Sequence, residues 1–398
     1  MVADLEVNLK LDKIGKILFY AGLLLEVLIM LLDKSAWINP YEGLMFRVSF
    51  LMFALKLCMT KYSVKEWGAI IGAGLIAGIC YLISEKDEAV RVVVFVASMK
   101  GIDGKYALKT VFWTTLTGLS VLAVLSVFGI LGTVYDLSAG YGFKEGALRI
   151  CLGQGNTNAF SIMIWALMTL GIYLYHEKMK LWHYGLLVVL AGVTYLATVT
   201  RTSLLMMVFS IGLAALMQYV PKLRHAKWVY GSGIASVLAC LGFSVWAAKV
   251  SKWYDFQEEW IIKIDRIITG RITSIYAFEN GGGVLRNWKL FSDPDYVEYF
   301  DMGYVRLFFW YGIIPGICVM AVLCLLIWHF VKNQDYMGFV LTLSFAVFTV
   351  IEAHAISVYI ARNYVLFLLG MYWTGMLGKK AKEAYWWKGL TLFERKSL

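Results

Sequence analysis

The chain has 398 residues, of which 60% are hydrophobic and only 16% charged, with a mean hydropathy of +0.68. A soluble domain is about 45–50% apolar and about 25% charged, so a water-soluble fold is excluded and lipid must solvate much of the surface. The net charge of +10 lies in short clusters between apolar runs, as topology signals do, which argues against a nucleic-acid partner.

The apolar runs lack the alternation of a β-barrel and have the length of helical spans, about 17–25 residues. Spans are predicted near 14–32, 43–60, 67–83, 88–99, 107–131, 159–175, 183–200, 203–219, 228–248, 304–330, 337–359 and 363–377. The first follows a mixed-charge start with no small-residue cleavage site, so it reads as an uncleaved span. The fourth is too short to cross a ~30 Å core unaided and is expected to be tilted or broken. The Gly72, Gly74 and Gly78 set within the third reads as close helix packing. Polar stretches at 133–158 and 249–303 interrupt the pattern. The fold class expected is an all-α polytopic membrane protein of about 12 transmembrane helices, one integral-membrane domain over 1–398, with 249–303 as a large extracytoplasmic loop carrying short amphipathic helices. Five cysteines fall within spans and Cys151 stands in a loop, with no disulfide or metal-ligand spacing.

Charge sets the expected orientation. With both termini inside, the cytoplasmic segments carry twenty basic residues: Lys10, Lys13, Lys16, Lys61, Lys65, Lys100, Lys105, Lys109, Lys178, Lys180, Lys222, Arg224, Lys227, Lys332, Lys379, Lys380, Lys382, Lys388, Arg395 and Lys396. The short outer loops carry six: Lys34, Lys86, Lys144, Arg149, Arg201 and Arg362. Short cytoplasmic loops are Lys/Arg-rich, whereas long translocated loops largely escape the rule.

On this topology Arg47, Arg91 and Arg306 lie near the outer ends of their spans, and Arg201 occupies a tight outer turn, Thr200-Arg201-Thr202-Ser203. Glu352 and His354 fall just below the outer end of the eleventh span, and Arg362 and Asn363 open the twelfth. A lone arginine at a span end ordinarily snorkels to the headgroups. Many at one leaflet, against a single Lys56 at the other, suit a lipid-linked diphosphate, whose oxygens match guanidinium forks.

Within the large loop, Phe256, Trp260, Ile264 and Ile267/Ile268 recur at helical spacing, with Glu258, Glu259, Lys263 and Asp265 on other faces. This reads as a surface helix over 256–268, broken at Gly270-Arg271 and followed by a second over Ile272 to Asn280. Gly281-Gly282-Gly283 is a flexible turn, not a phosphate loop, and Arg286 and Lys289 follow it. Asp293 and Asp295 have oxygen ligands suited to a divalent cation, but flanking Pro294 they read better as a solvated turn. His176, His183, His225 and His329 lie at the predicted cytoplasmic face, which leaves no Ser/His/Asp triad.

Several patches together resemble one family. Leu152-Gly153-Gln154-Gly155-Asn156-Thr157-Asn158 before a span, Thr200-Arg201-Thr202-Ser203, Thr269-Gly270-Arg271-Ile272 in the large loop, and Asp301-Met302-Gly303-Tyr304 followed by Gly312-Ile313-Ile314-Pro315-Gly316 are similar, in order and spacing, to O-antigen and capsular polysaccharide polymerases and ligases. The resemblance covers roughly residues 150–370, with Glu352 and Asn363 also at family-like positions. It implies a metal-independent, cofactor-free glycosyltransferase of the bacterial cytoplasmic membrane that joins polyprenyl-diphosphate-linked oligosaccharides at the outer face. Its implied partners are membrane lipid and the flippase and chain-length regulator of the same pathway.

On that resemblance Arg201 and Arg271, with Arg47, Arg306 and Arg286 as further cations, would hold the diphosphate, and Asp301, Glu352 or His354 would accept the acceptor's proton. Asn158, Tyr304 and Asn363 complete the family-like positions. The related ligases often carry histidine where Asp301 stands, a departure that favours a polymerase over a ligase. A flippase, the other alternative, would spread charge along a cavity through both leaflets.

Overall fold

The computed structural model describes residues 2–136, 146–252, 258–278, 281–354, 357–378 and 383–385. Lys144, Phe256, Asn280 and the basic residues Lys379, Lys380, Lys382, Lys388, Arg395 and Lys396 lie outside them. The protein is 76% helical, and its helices follow the apolar runs. They are α1 (Val2–Lys34), α2 (Glu42–Cys58), α3 (Val64–Ser84), α4 (Glu88–Ser98), α5 (Gly104–Val127), α6 (Thr157–Tyr175), α7 (Leu181–Thr198) and α8 (Arg201–Tyr219). There follow α9 (Pro221–His225), α10 (Lys227–Val250), α11 (Glu259–Ile267), α12 (Arg271–Phe278), α13 (Gly303–Tyr311), α14 (Ile313–Asn333), α15 (Tyr336–Phe348) and α16 (Tyr364–Met376). Two-residue strands pair Tyr62–Ser63 with Glu383–Ala384 and Tyr135–Asp136 with Arg149–Ile150.

Among the described residues eight helices, α1 (from Leu9), α3, α5, α6, α7, α8, α10 and α14, are long and apolar enough to cross a membrane. They give the chain the make-up of a multi-pass membrane protein. Where a helix begins, the sequence supplies the cap. Asn156 accepts from the Ala159 amide at α6, Asp335 from Gly338 at α15, and Ser63 and Glu66 form a reciprocal pair at α3.

The core is aromatic where helices cross. Phe19 of α1, Phe53 of α2, Phe95 of α4 and Phe367 of α16 meet with ring centroids 5.0 to 5.9 Å apart. Trp165 of α6 packs at 4.5 Å against Phe348 of α15. The segment after α10 has a core of its own: Ile261, Ile268, Ile272, Ile275, Val284, Phe300, Met302, Val305 and Phe309 close over Ala247 and Ala248. The large loop is therefore a packed cap on α10 and α13.

Four expectations need correction. The tenth span is two helices, because Gly312 (φ 98°, ψ 174°) turns the chain between α13 and α14. This conformation is open in practice only to glycine, and a Cβ there would meet the Phe291 Cα at 2.5 Å. The Ile313 and Ile314 amides instead donate to the carbonyls of Lys289 and Leu290. The eleventh span ends at Phe348, and Glu352 and His354 follow in non-helical backbone.

Third, Gly72, Gly74 and Gly78 make no close helix contact among the described residues: a Cβ on any of them would meet no atom within 4 Å. α3 turns these residues outward, with Leu82 80% exposed. Close helix approach occurs at Gly104, Gly118, Gly233 and Gly370, where a Cβ would overlap Met371, Leu31, Phe339 and Met99. The fourth is α11. Its inward stripe is Ile261, Asp265 and Ile268, while Trp260 and Ile267 point away, Ile267 73% exposed.

Gly312→Ala should cost about 1–3 kcal/mol from backbone strain alone, before the Phe291 clash. Gly72→Ala should be neutral or stabilising by up to ~1 kcal/mol through helix propensity. Thermal unfolding of both variants in detergent, followed by tryptophan fluorescence, checks the contrast.

Candidate functional site

The sharpest constellation of charge is assembled by α12. At the end of α11 the backbone passes through two consecutive left-handed residues, Thr269 (φ 61°) and Gly270 (φ 80°), and α12 starts at Arg271. Asp265 makes this turn stable. One carboxylate oxygen accepts from the Ile272 amide at 2.7 Å and the other from the Thr273 hydroxyl. It is 3% exposed, so the residue expected on a solvated face is instead the buried cap that aims Arg271.

Arg271 uses its whole guanidinium. Nη1 donates to Asp301 at 2.5 Å, Nη2 to Glu352 at 2.7 Å, and Nε to the Ile351 carbonyl at 3.0 Å. The carboxylates arrive from different parts of the chain, and Gly303 allows them to meet. Its amide donates to the Thr349 carbonyl at 2.8 Å, and a Cβ there would lie 2.6 Å from the Thr349 methyl and 2.9 Å from the Ala353 Cα. The Asp301-Met302-Gly303-Tyr304 motif is thus a close-approach device that lays the start of α13 against the segment after α15.

Burial separates the two carboxylates. Asp301 keeps 36% of its side chain exposed, Glu352 only 12%. Burial pushes Glu352 up to about 7; Arg271 opposes that rise and Asp301, competing for the same cation, adds to it. His354 is fully buried, with Trp165 and Phe345 edge-on at 5.3 and 5.0 Å. Burial and the nearby Arg362 hold its imidazole neutral.

The other expected residues have contacts or surroundings of their own. Arg201 is the exposed first residue of α8, after Thr200, whose hydroxyl reaches Asn158 Oδ1 at 3.4 Å. Arg47 is exposed on α2, and exposed Arg286 lies against Gly282. Arg306 is buried over the rings of Trp310 and Tyr299 at 3.6 and 4.0 Å, which fits a cation–π anchor. Tyr304 is buried and donates to the Ala346 carbonyl at 2.9 Å, a packing role. Asn363 is buried just before α16. Asp293 pairs with Lys289 at 2.5 Å. Among the described residues no group of three or more His, Cys, Asp or Glu could hold a metal ion.

Two charged residues gain a significance that the sequence reading did not give them. Glu26 of α1 is fully buried and accepts from Ser49 of α2 at 2.6 Å; a carboxylate inside a long apolar run was the available signal. Lys34, expected only as a topology marker, is largely enclosed beside Asp33 and near Arg362. Compared with protein-family models, curated proteins and solved structures, the chain matches none.

Arg271→Gln should be strongly destabilising, since breaking an enclosed ion pair and leaving its partner unpaired costs about 3–5 kcal/mol. Adding Glu352→Gln should restore part of that loss, because the orphaned carboxylate goes with it. Thermal midpoints of wild type, both single variants and the double variant test this coupling.

Proposed function

We propose that the protein is a polysaccharide polymerase of the bacterial cytoplasmic membrane. It would join polyprenyl-diphosphate-linked oligosaccharide repeat units at the outer face by metal-independent glycosyl transfer. The observation that carries this reading is the convergence of Arg271, Asp301 and Glu352, residues distant in sequence, on one enclosed guanidinium. The positive-inside pattern, which puts the Arg271 loop outside, supports the orientation. The motifs shared in order with polysaccharide polymerases support the chemistry.

The step proposed is a displacement at a sugar carbon. A hydroxyl oxygen of the incoming repeat unit attacks the anomeric carbon of the growing chain. The bond from that carbon to the diphosphate breaks, and the diphosphate leaves with the electron pair. Arg271, joined by Arg201, stabilises the charge that develops on the leaving oxygens, ordinarily the largest catalytic contribution in such a site. The hydroxyl proton passes to Glu352. A base works best with a pKa near the working pH, and the enclosure of Glu352 brings it there. Diphosphate binding to Arg271 would free the carboxylate for this task.

Arg201→Ala and Arg271→Ala, with expression verified, should each abolish or shorten the polymer in the producing cell. Normal chain length in both would refute the assignment. Loss of the protein should leave single repeat units on the lipid carrier; full-length polymer stranded there would indicate a ligase instead. With Glu352 as base, the rate should rise with pH as the group loses its proton around 7. Glu352→Gln should remove that limb.

A further inference from the structure

The segment that leads into Asp301 carries an exposed aromatic ring beside the Arg271 cluster. From 297 to 302 the side chains alternate as in an extended strand. Val297 and Tyr299 are 70% and 60% exposed and Asp301 is half-buried, whereas Phe300 and Met302 are buried. Phe300 packs inward, its ring 5.1 Å from those of Phe278 and Phe309. Residues two apart in extended backbone share a face, with Cα atoms about 7 Å apart at most. Tyr299 therefore stands next to Asp301, which is bound directly to Arg271.

Tyr299 is exposed yet held. The Arg306 guanidinium lies 4.0 Å from the centre of its ring and 3.6 Å from that of Trp310, in the corner between rings whose planes are 81° apart. The Trp310 indole donates to the Glu298 carbonyl at 2.6 Å, which fixes the backbone beside Tyr299. Arg306 is 3% exposed, and its Nε has no hydrogen-bond partner among the described residues. Burying a guanidinium is costly, and its contacts with the two rings offset that cost. A tyrosine that merely rests at the lipid boundary needs no such support.

The chemistry of this face selects its ligand. A cation already occupies one side of the Tyr299 ring and draws on its π density, which makes the other side a poor seat for a second cation. Asp293, Asp295, Glu298 and Asp301 lie close together in the sequence, with no basic residue between Lys289 and Arg306, which disfavours phosphate and other anions. A neutral group with an apolar face for the ring and hydroxyls for the carboxylate fits both conditions. A pyranose sugar is such a group.

We infer that Tyr299 and Asp301 form a sugar subsite. The exposed face of the Tyr299 ring stacks on the apolar C–H face of a pyranose in the lipid-linked oligosaccharide, and Asp301 accepts from a hydroxyl of the same sugar. Arg271 takes Asp301 Oδ2, and Oδ1 is the oxygen offered to the hydroxyl. This rests on the reading of the Arg271 cluster as the place where lipid-linked oligosaccharides react.

The test uses the full chain in phosphatidylcholine nanodiscs and two probes. One is farnesyl diphosphate, which carries no sugar; the other is the single lipid-linked repeat unit extracted from producing cells that lack the protein. Tyr299→Ala should weaken binding of the repeat unit about tenfold and leave farnesyl diphosphate binding unchanged, which also shows that the variant is folded. Tyr299→Phe keeps the ring and should recover most of the loss. Arg271→Gln should weaken both probes.

Unchanged binding of the repeat unit by Tyr299→Ala, the result if the ring rests against lipid, overturns this inference and leaves the Arg271 reading standing. Equal weakening of both probes by Tyr299→Ala also overturns it, because the ring then acts on the diphosphate end or on the fold. A wild type that does not bind the repeat unit overturns this inference and the proposed function together.

Discussion

One enclosed guanidinium ties together three parts of the chain that share no secondary structure. Helices in a bilayer gain little from the hydrophobic effect against one another, since lipid tails are as apolar as leucine. Their relative placement at a polar end is therefore set by directional contacts and by how closely backbones can approach. Arg271 supplies the directional contacts through three donors. Gly303 supplies the approach, with its amide on the Thr349 carbonyl. Asp265 makes both possible by holding the first turn of α12 from below.

The same arrangement contains a chemical tension. A single cation serves two carboxylates that differ in exposure. In a region of low dielectric such a balance is sensitive to the arrival of any further anion. Exchange of partners on Arg271 would change the charge on Glu352 without a large movement of the backbone.

Much of the fold was legible because hydropathy reports solvent directly: most apolar runs became single helices, and the short fourth run became the short α4, whereas the tenth run split in two and the eleventh stopped at Phe348. The break at Gly312 was not legible, since its cause is the approach of the Leu290–Phe291 backbone, a contact made only in three dimensions. The glycines of α3 misled for the converse reason: small residues permit close packing but do not require it.

At the site, Gly270-Arg271 stood out as a break between two helical stretches and as a family-like patch, and the chain turns there through left-handed Thr269 and Gly270. Asp265 left none, since a buried cap and a solvated acid look alike in a string of letters. Lys34 was hidden by its usefulness as a topology signal. Its ammonium also lies 5.5 Å from the ring centre of Tyr359, a neighbour far away in the sequence that only packing brings near.

The outward side of α11 ties the site to the bilayer. Trp260 and Ile267 project from the surface while Asp265, one turn away on the same short helix, fixes Arg271. Aromatic and aliphatic side chains so placed settle at the boundary between headgroups and acyl chains. Lipid at that boundary therefore adjoins the helix that positions Arg271, and its thickness and lateral pressure bear on the angle of one guanidinium. A detergent micelle and a native leaflet would hold the same residues in differently tensioned frames.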